Sequence, residues 1–275
     1  MTVQAVASMP MYNFAPMHDA LDQYWLGICQ GLQQSGVGEN SLSSILPTSL
    51  TQPNDLVQHW IDPALVISQT CGYPYSSELH SQVSLVGTPD FGLCHGQSGW
   101  YDSQIVVRRD DVRTGLEQFE GAVFAYNSTS SQSGYYAMMH TVLEQIGEQQ
   151  FFSECVVTGS HRSSAVTVVH EQADIAAIDS MTWQLLSRYS QEAAHLRVLG
   201  TTSPTPGLPY ITALSNDAGK VANAVETAID SLSIAHRQIL GLKGLVRFTR
   251  DDYMMIAERA DQCTGLINLH GEQHQ

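Results

Sequence analysis

Gly121–Ile146, GAVFAYNSTSSQSGYYAMMHTVLEQI, is the stretch that decides the fold. Gly121 to Tyr126 is a short apolar run bounded by a turn, which reads as a buried strand. Asn127 to Gly134 is a Ser/Thr-rich turn, and Tyr135 to Ile146 reads as a helix. Strand, turn and helix in that order make one βα step, and the chain on both sides repeats it.

Downstream, Cys155 to Thr158 reads as a strand, and Gly159-Ser160 opens a helix that runs to about His170. Ala173 to Ile178 is a strand ending at Asp179, followed by a helix from Met181 to about Tyr189 and a strand from Leu196 to Gly200. After the Pro-rich passage Thr201 to Pro209 come a strand at Ile211 to Leu214 and helices at about Gly219–Leu232 and Arg250–Ala260. Upstream, Val3 to Ser8 is the first strand. Asp19 to Gln34 is a helix with Leu21, Tyr24, Trp25, Ile28 and Leu32 at helical spacing, stopped by Gly36-Val37-Gly38. A short helix at about Asp55–Trp60 and strands at Ala64–Ser68, Gln82–Gly87 and Gln104–Arg108 complete the series. Alternating βα steps of this kind define an α/β fold with a largely parallel sheet.

At 275 residues the chain is long enough for one large domain or two small ones. Lys and Arg number 12 against 27 Asp and Glu, a net charge of −15. This argues against duplex DNA, RNA and anionic membranes as partners, because each needs a basic footprint. The same balance means that an anion site here must work locally, through backbone amides and a few side chains. No apolar run reaches transmembrane length, so no membrane insertion is expected. The N-terminus lacks the basic, apolar and small-residue succession of a signal peptide. The five cysteines are scattered without metal-ligand spacing, and no HExxH, phosphate-loop or GxSxG pattern occurs. No metal or cofactor is expected. Cys71 and Cys94 flank one strand and are the candidate pair for a disulfide under oxidising conditions.

Five motifs occur in order: Ser68-Gln69-Thr70-Cys71-Gly72-Tyr73-Pro74, Ser131-Gln132-Ser133-Gly134-Tyr135, Thr158-Gly159-Ser160-His161-Arg162, Ala173–Asp179 (ADIAAID) and Pro204–Tyr210 (PTPGLPY). The set resembles the phosphate/phosphonate-type substrate-binding proteins of ABC importers, over about Ser8 to Tyr210. The resemblance implies a two-lobed type II periplasmic-binding fold, with a ligand cleft between lobes joined by two crossing strands. Lobe 1 is expected to hold residues 1–103 and 200–275, and lobe 2 residues 104–199. It further implies a small phosphonate- or phosphate-like ligand, an ABC permease as partner, a monomer, and a periplasmic location. A chain that starts at Met1 without a leader is expected in the cytoplasm instead.

The expected ligand-binding residues fall mainly in βα loops, where open α/β sheets bind ligands. Ser131, Gln132 and Ser133 precede a helix, whose N-terminal amides favour an anion; a serine there also serves simply as a cap. Thr158 to His161 repeats the arrangement, with His161 able to donate to an oxygen. Asp179 ends a buried strand, as a ligand contact or as the cap of the next helix. On the first lobe Tyr12, Gln69 and Thr70 follow strands and Tyr101 precedes the first crossing; these shape the pocket wall. The alternative is an enzyme on the same scaffold, acting on a small phosphorylated or anionic metabolite through His161, Asp179 or Cys71.

Overall fold

The computed structural model describes residues 4–35, 46–147 and 150–267. The expected start of the first strand at Val3 and the Gly36-Val37-Gly38 stop lie outside them. In chain order the elements are β1 (Val6–Ala7), α1 (His18–Gln34), α2 (Leu56–Trp60), β2 (Leu65–Gln69), α3 (Gly72–Ser77), β3 (Val83–Asp90) and β4 (Ser103–Arg108). There follow β5 (Val123–Tyr126), α4 (Ala137–Gln145), β6 (Glu154–Val157), α5 (His161–Val169), β7 (Ile175–Asp179), α6 (Ser180–Tyr189) and β8 (Leu196–Thr201). The last are β9 (Tyr210–Ala213), α7 (Ala218–Ser231), α8 (Ile234–Leu240), β10 (Gly244–Val246) and α9 (Arg250–Ile267).

These elements form two compact units. The first takes the described residues within 1–100 and 206–254, the second those within 101–205 and 255–267. The boundaries differ from the expected lobes at Tyr101–Ser103, at 200–205 and from Met255 onward, all of which go with the second unit. Backbone pairing is the reason. Ser103 N–H donates to Thr202 Oγ1 and Thr202 N–H to the Ser103 carbonyl, both at 3.0 Å, which locks 201–202 to the start of β4. The Arg259 guanidinium donates to the Pro204 carbonyl at 3.0 Å, tying the later turns of α9 to the same unit.

The first unit is built on a five-stranded sheet in the order β1-β2-β9-β3-β10. β1 and β2 are parallel, whereas β9 runs antiparallel to both β2 and β3, and β10 antiparallel to β3. Strand β2 is buried at every position, its apolar Leu65–Ile67 and its polar Ser68 and Gln69 alike. Helix α1 buries Ala20, Tyr24, Trp25, Ile28 and Leu32, the stripe that its spacing predicts. Its Gly27 and Gly31 lie against Ala228 and Ala224 of α7. A Cβ on Gly31 would stand 2.9 Å from the Ala224 Cα, so the two helices meet backbone to backbone. Tyr253, fully buried, donates its hydroxyl to the Gly207 carbonyl at 2.7 Å and stands edge-on to Tyr75.

The second unit has its own five-stranded sheet, β6-β5-β7-β4-β8. β5 is parallel to β6 and β7, and β4 is antiparallel to β7 and β8. Phe124 of β5 is at the centre of its core, stacked on Tyr126 and on Phe152 with ring centroids 5.8 and 4.9 Å apart. Arg113 binds Asp111 and Asp174, while Asp174 also accepts from the Val123 N–H at 2.9 Å and pins the start of β5. Cys29, Cys155 and Cys263 are free thiols. No helix among the described residues is long and apolar enough to cross a membrane.

Candidate functional site

In the second unit β5, β6 and β7 share one direction, so the segments that follow them emerge at one edge of the sheet. This places Ser131–Gly134, Thr158–His161 and Asp179 together although up to fifty residues of chain separate them. β4 enters and β8 leaves at the same edge, with Ser103 opposite Asp179 in register.

The core of the site is a seat of hydroxyls and one imidazole. Ser131 is the N-cap of a π-helical turn, Gln132–Tyr136, that runs into α4; its Oγ accepts from the Gly134 N–H at 3.0 Å. The expected helix at Tyr135 therefore begins one turn earlier, in a wider form common at functional sites. Ser133 Oγ lies 2.9 Å from His161 Nε2. Ser103 braces this turn from below by donating its hydroxyl to the Ser133 carbonyl at 2.8 Å. Gly134 leaves room for its neighbours: a Cβ there would fall 1.8 Å from Asn127 Oδ1 and 3.1 Å from His161 Cε1, so a side chain would displace Asn127. His161 sits at the first position of α5, whose cap is Ser160, accepting from the Ser163 N–H.

The remaining second-unit residues are more tightly committed to the fold. Asp179 is buried and accepts from the Thr182 N–H at 2.8 Å, so it caps α6. Gln132 is buried beside Ser133. Tyr101, expected on the first lobe, belongs to the second unit, because it leads directly into β4. With Asp102, Ser103, Gln132, Ser133 and Thr202 it lines a tight depression. Arg162 points outward, 3.8 Å from Glu192.

The first unit repeats the logic at its own carboxyl edge. Tyr12 follows β1 and packs edge-on against Phe91, which follows β3. Gln69 ends β2 and donates to the Leu208 carbonyl at 3.3 Å. Tyr12 and Gln69, with Met9, Tyr24, Phe91 and Tyr210, line a small, largely apolar pocket of about 20 Å3. Thr70 is fully buried and pairs through its N–H with the Pro209 carbonyl at 3.0 Å; it is not among the residues lining that pocket.

Burial is the main influence on His161, and it pushes the imidazole pKa down from 6.5 to about 4, with a smaller opposing pull from the Ala177 carbonyl. The folded chain holds this ring neutral, whereas the unfolded chain protonates it near 6.5. Stability from this group is therefore complete above pH 6.5 and is eroded as pH falls through the window from 6.5 to 4. Thermal unfolding should show His161→Gln losing less stability than the unaltered chain between pH 7 and pH 4.5; equal losses would refute this.

Ser103, Asn127 and Thr202 belong to the site although no motif in the sequence marks them. Asn127 directly follows β5, and that position was the available signal. Ser103 and Thr202 are isolated hydroxyls at the mouths of β4 and β8. Among the described residues no cluster of three or more His, Cys, Asp or Glu could hold a metal ion.

Two α/β units, each presenting βα loops at the carboxyl edge of its sheet, constitute the type II periplasmic-binding fold. Similar solved structures share it. PhnD1 from Prochlorococcus marinus, in complex with methylphosphonate, aligns with a TM-score of 0.70 at 17% identity, covering 96% of this chain and 99% of its own. A binding-protein component of an ABC phosphonate transporter from Pseudomonas aeruginosa aligns at 0.68 and 13% identity, covering 99% and 90%. XAC2383 from Xanthomonas citri, bound to chloride ion, aligns at 0.68 and 14% identity, covering 96% and 99%. A search of curated proteins finds no match. Residues 93–253 match the family described as ABC transporter, phosphonate, periplasmic substrate-binding protein, and the chain belongs to that family.

Proposed function

We propose that this chain captures a small phosphonate-class oxyanion at the Ser131–Ser133–His161 seat and hands it to an ABC permease. The carrying observation is the convergence of those three side chains at one sheet edge, with Gly134 clearing the approach. Family membership and the fold of the phosphonate-binding relatives support it. Tyr12 and Gln69, beside the apolar pocket of the first unit, are the residues proposed to contact the ligand there; Tyr101 and Gln132 flank the seat. Asp179 acts through the α6 cap that it forms. Isothermal titration against methylphosphonate, phosphite, phosphate and sulfate tests the reading. Saturable one-to-one binding of at least one phosphorus oxyanion is expected, and no binding of any would defeat it.

The Ser133–His161 contact also favours a second reading, since hydroxyl and imidazole at 2.9 Å form the pair that activates a serine nucleophile. A ring with a pKa near 4 is a weak base at neutral pH, which disfavours that chemistry. Incubation with a p-nitrophenyl phosphonate ester separates the two: sustained release of p-nitrophenol would establish the enzyme.

A further inference from the structure

We infer that the first unit reads the organic arm of the ligand, and that it selects a short neutral arm ending in a hydroxyl. The inference rests on the function proposed above, in which Tyr12 and Gln69 contact the ligand, and adds what the phosphorus carries. Its basis is the small pocket at the carboxyl edge of the first unit's sheet. Met9, Phe91, Leu240 and Leu242 give that pocket apolar walls, and Tyr24 and Tyr210 bring phenol rings to it. Tyr24 is 1% exposed, and its hydroxyl is buried without a hydrogen-bond partner among the described residues. The polar side chain that acts on it is Tyr210. A bond between two phenols would use one proton and leave the other unspent, whichever of them donated. A buried polar group in this state costs stability, and native chains keep such groups mainly where a ligand or a water completes them.

The size and chemistry of the space name the group that fits. About 20 Å3 takes one group the size of a water molecule. A hydroxyl on a one- or two-carbon arm has that size. It can accept from one phenol and donate to the other, while its methylene lies against the apolar walls. A methyl group in its place would leave the Tyr24 hydroxyl unpartnered, and sites built around a hydrogen bond discriminate against such isosteres. An ammonium group would need a counter-charge in this desolvated space. Among the described residues no Asp or Glu lines the pocket. Burial pushes both phenols well above the ordinary phenol range, so neither supplies a phenolate near neutral pH. Gln69 brings no charge, and its amide nitrogen already donates to the Leu208 carbonyl.

The test is isothermal titration of the whole chain with two isosteric series. One is hydroxymethyl-, ethyl- and aminomethylphosphonate; the other is 2-hydroxyethyl-, propyl- and 2-aminoethylphosphonate. In at least one series the hydroxyl member is expected to bind roughly tenfold more tightly than its methyl isostere, the worth of one buried neutral hydrogen bond. The amino member is expected to fall short of the hydroxyl member by at least as much. Tyr24→Phe should bring the hydroxyl member and its methyl isostere within about twofold of each other. Its melting temperature should equal or exceed that of the unaltered chain, since the change removes an unpartnered buried hydroxyl. Should that variant not fold, the isostere comparison in the unaltered chain decides alone. Hydroxyl and methyl members that bind alike in both series overturn the inference and leave the seat standing. So does a hydroxyl preference that survives Tyr24→Phe. Tighter binding of an amino member would show that the rings hold a cation, and overturns it as well. Binding of no phosphonate in either series defeats the proposed function along with it.

Discussion

Ser131→Asp is expected to abolish phosphonate binding while leaving thermal stability within a few degrees of the unaltered chain. The two roles of Ser131 separate in this variant. Aspartate caps a helical N-terminus at least as well as serine, so the bond to the Gly134 N–H survives. It also removes the hydroxyl proton and puts a carboxylate where the anion would lie. Loss of a hydrogen bond to a charged group costs about 1.5–3 kcal/mol, which at about 1.4 kcal/mol per decade is roughly 10- to 150-fold in affinity. Repulsion between like charges adds to that. Ser131→Ala supplies the comparison, with the hydroxyl lost, no charge added and the cap weakened. Titration calorimetry and thermal unfolding of the pair decide the matter: an Asp variant that still binds well would place the anion elsewhere.

Phe124→Ala carries the largest expected effect on folding. The ring is fully buried in the second unit between Tyr126 and Phe152, at centroid distances of 5.8 and 4.9 Å. Removing a buried aromatic ring loses its transfer free energy and leaves a cavity that neighbours on a fixed strand fill only in part. The cost is about 3–5 kcal/mol, or a fall in melting temperature of roughly 6–20 °C for a chain of this size. Calorimetric or circular-dichroism melts read this directly. A change under about 1 kcal/mol would mean that the Phe124 environment collapses freely around the missing ring.

Much of this was legible in the sequence, because periodicity reports burial directly. The apolar runs of β2, β5 and β7 and the stripe on α1 gave strands and a helix within a residue or two of those observed. The convergence of Ser131, Ser133 and His161 was legible for a topological reason: loops that follow parallel strands share an edge wherever they lie in the chain. What failed depended on longer-range geometry. The π-helical turn at Gln132–Tyr136 brings Gly134 close to Asn127 and His161, and no local propensity encodes that contact. Helix α8, with its first residue Ile234 exposed, and strand β10 were too short to give a periodic signal. Tyr101 was placed with the wrong unit because a crossing strand looks alike from both of its ends. Asp179 caps α6, one of the two roles that a residue at a strand end offers.

The proposed seat, made only of neutral donors and acceptors, also sets how capture is expected to respond to the surrounding medium. Dissolved ions weaken an arginine-lined pocket by screening its long-range attraction, whereas contacts through hydroxyl, imidazole and amide act only at touching distance, well inside the roughly 10 Å Debye length of 0.1 M salt. The long-range field of this chain, with its net charge of −15, opposes the approach of an anion. Salt removes that opposition and leaves the contacts intact. If the proposed seat holds the ligand, it is expected in brine to arrive faster and to be held as firmly, the reverse of the behaviour of a cationic trap.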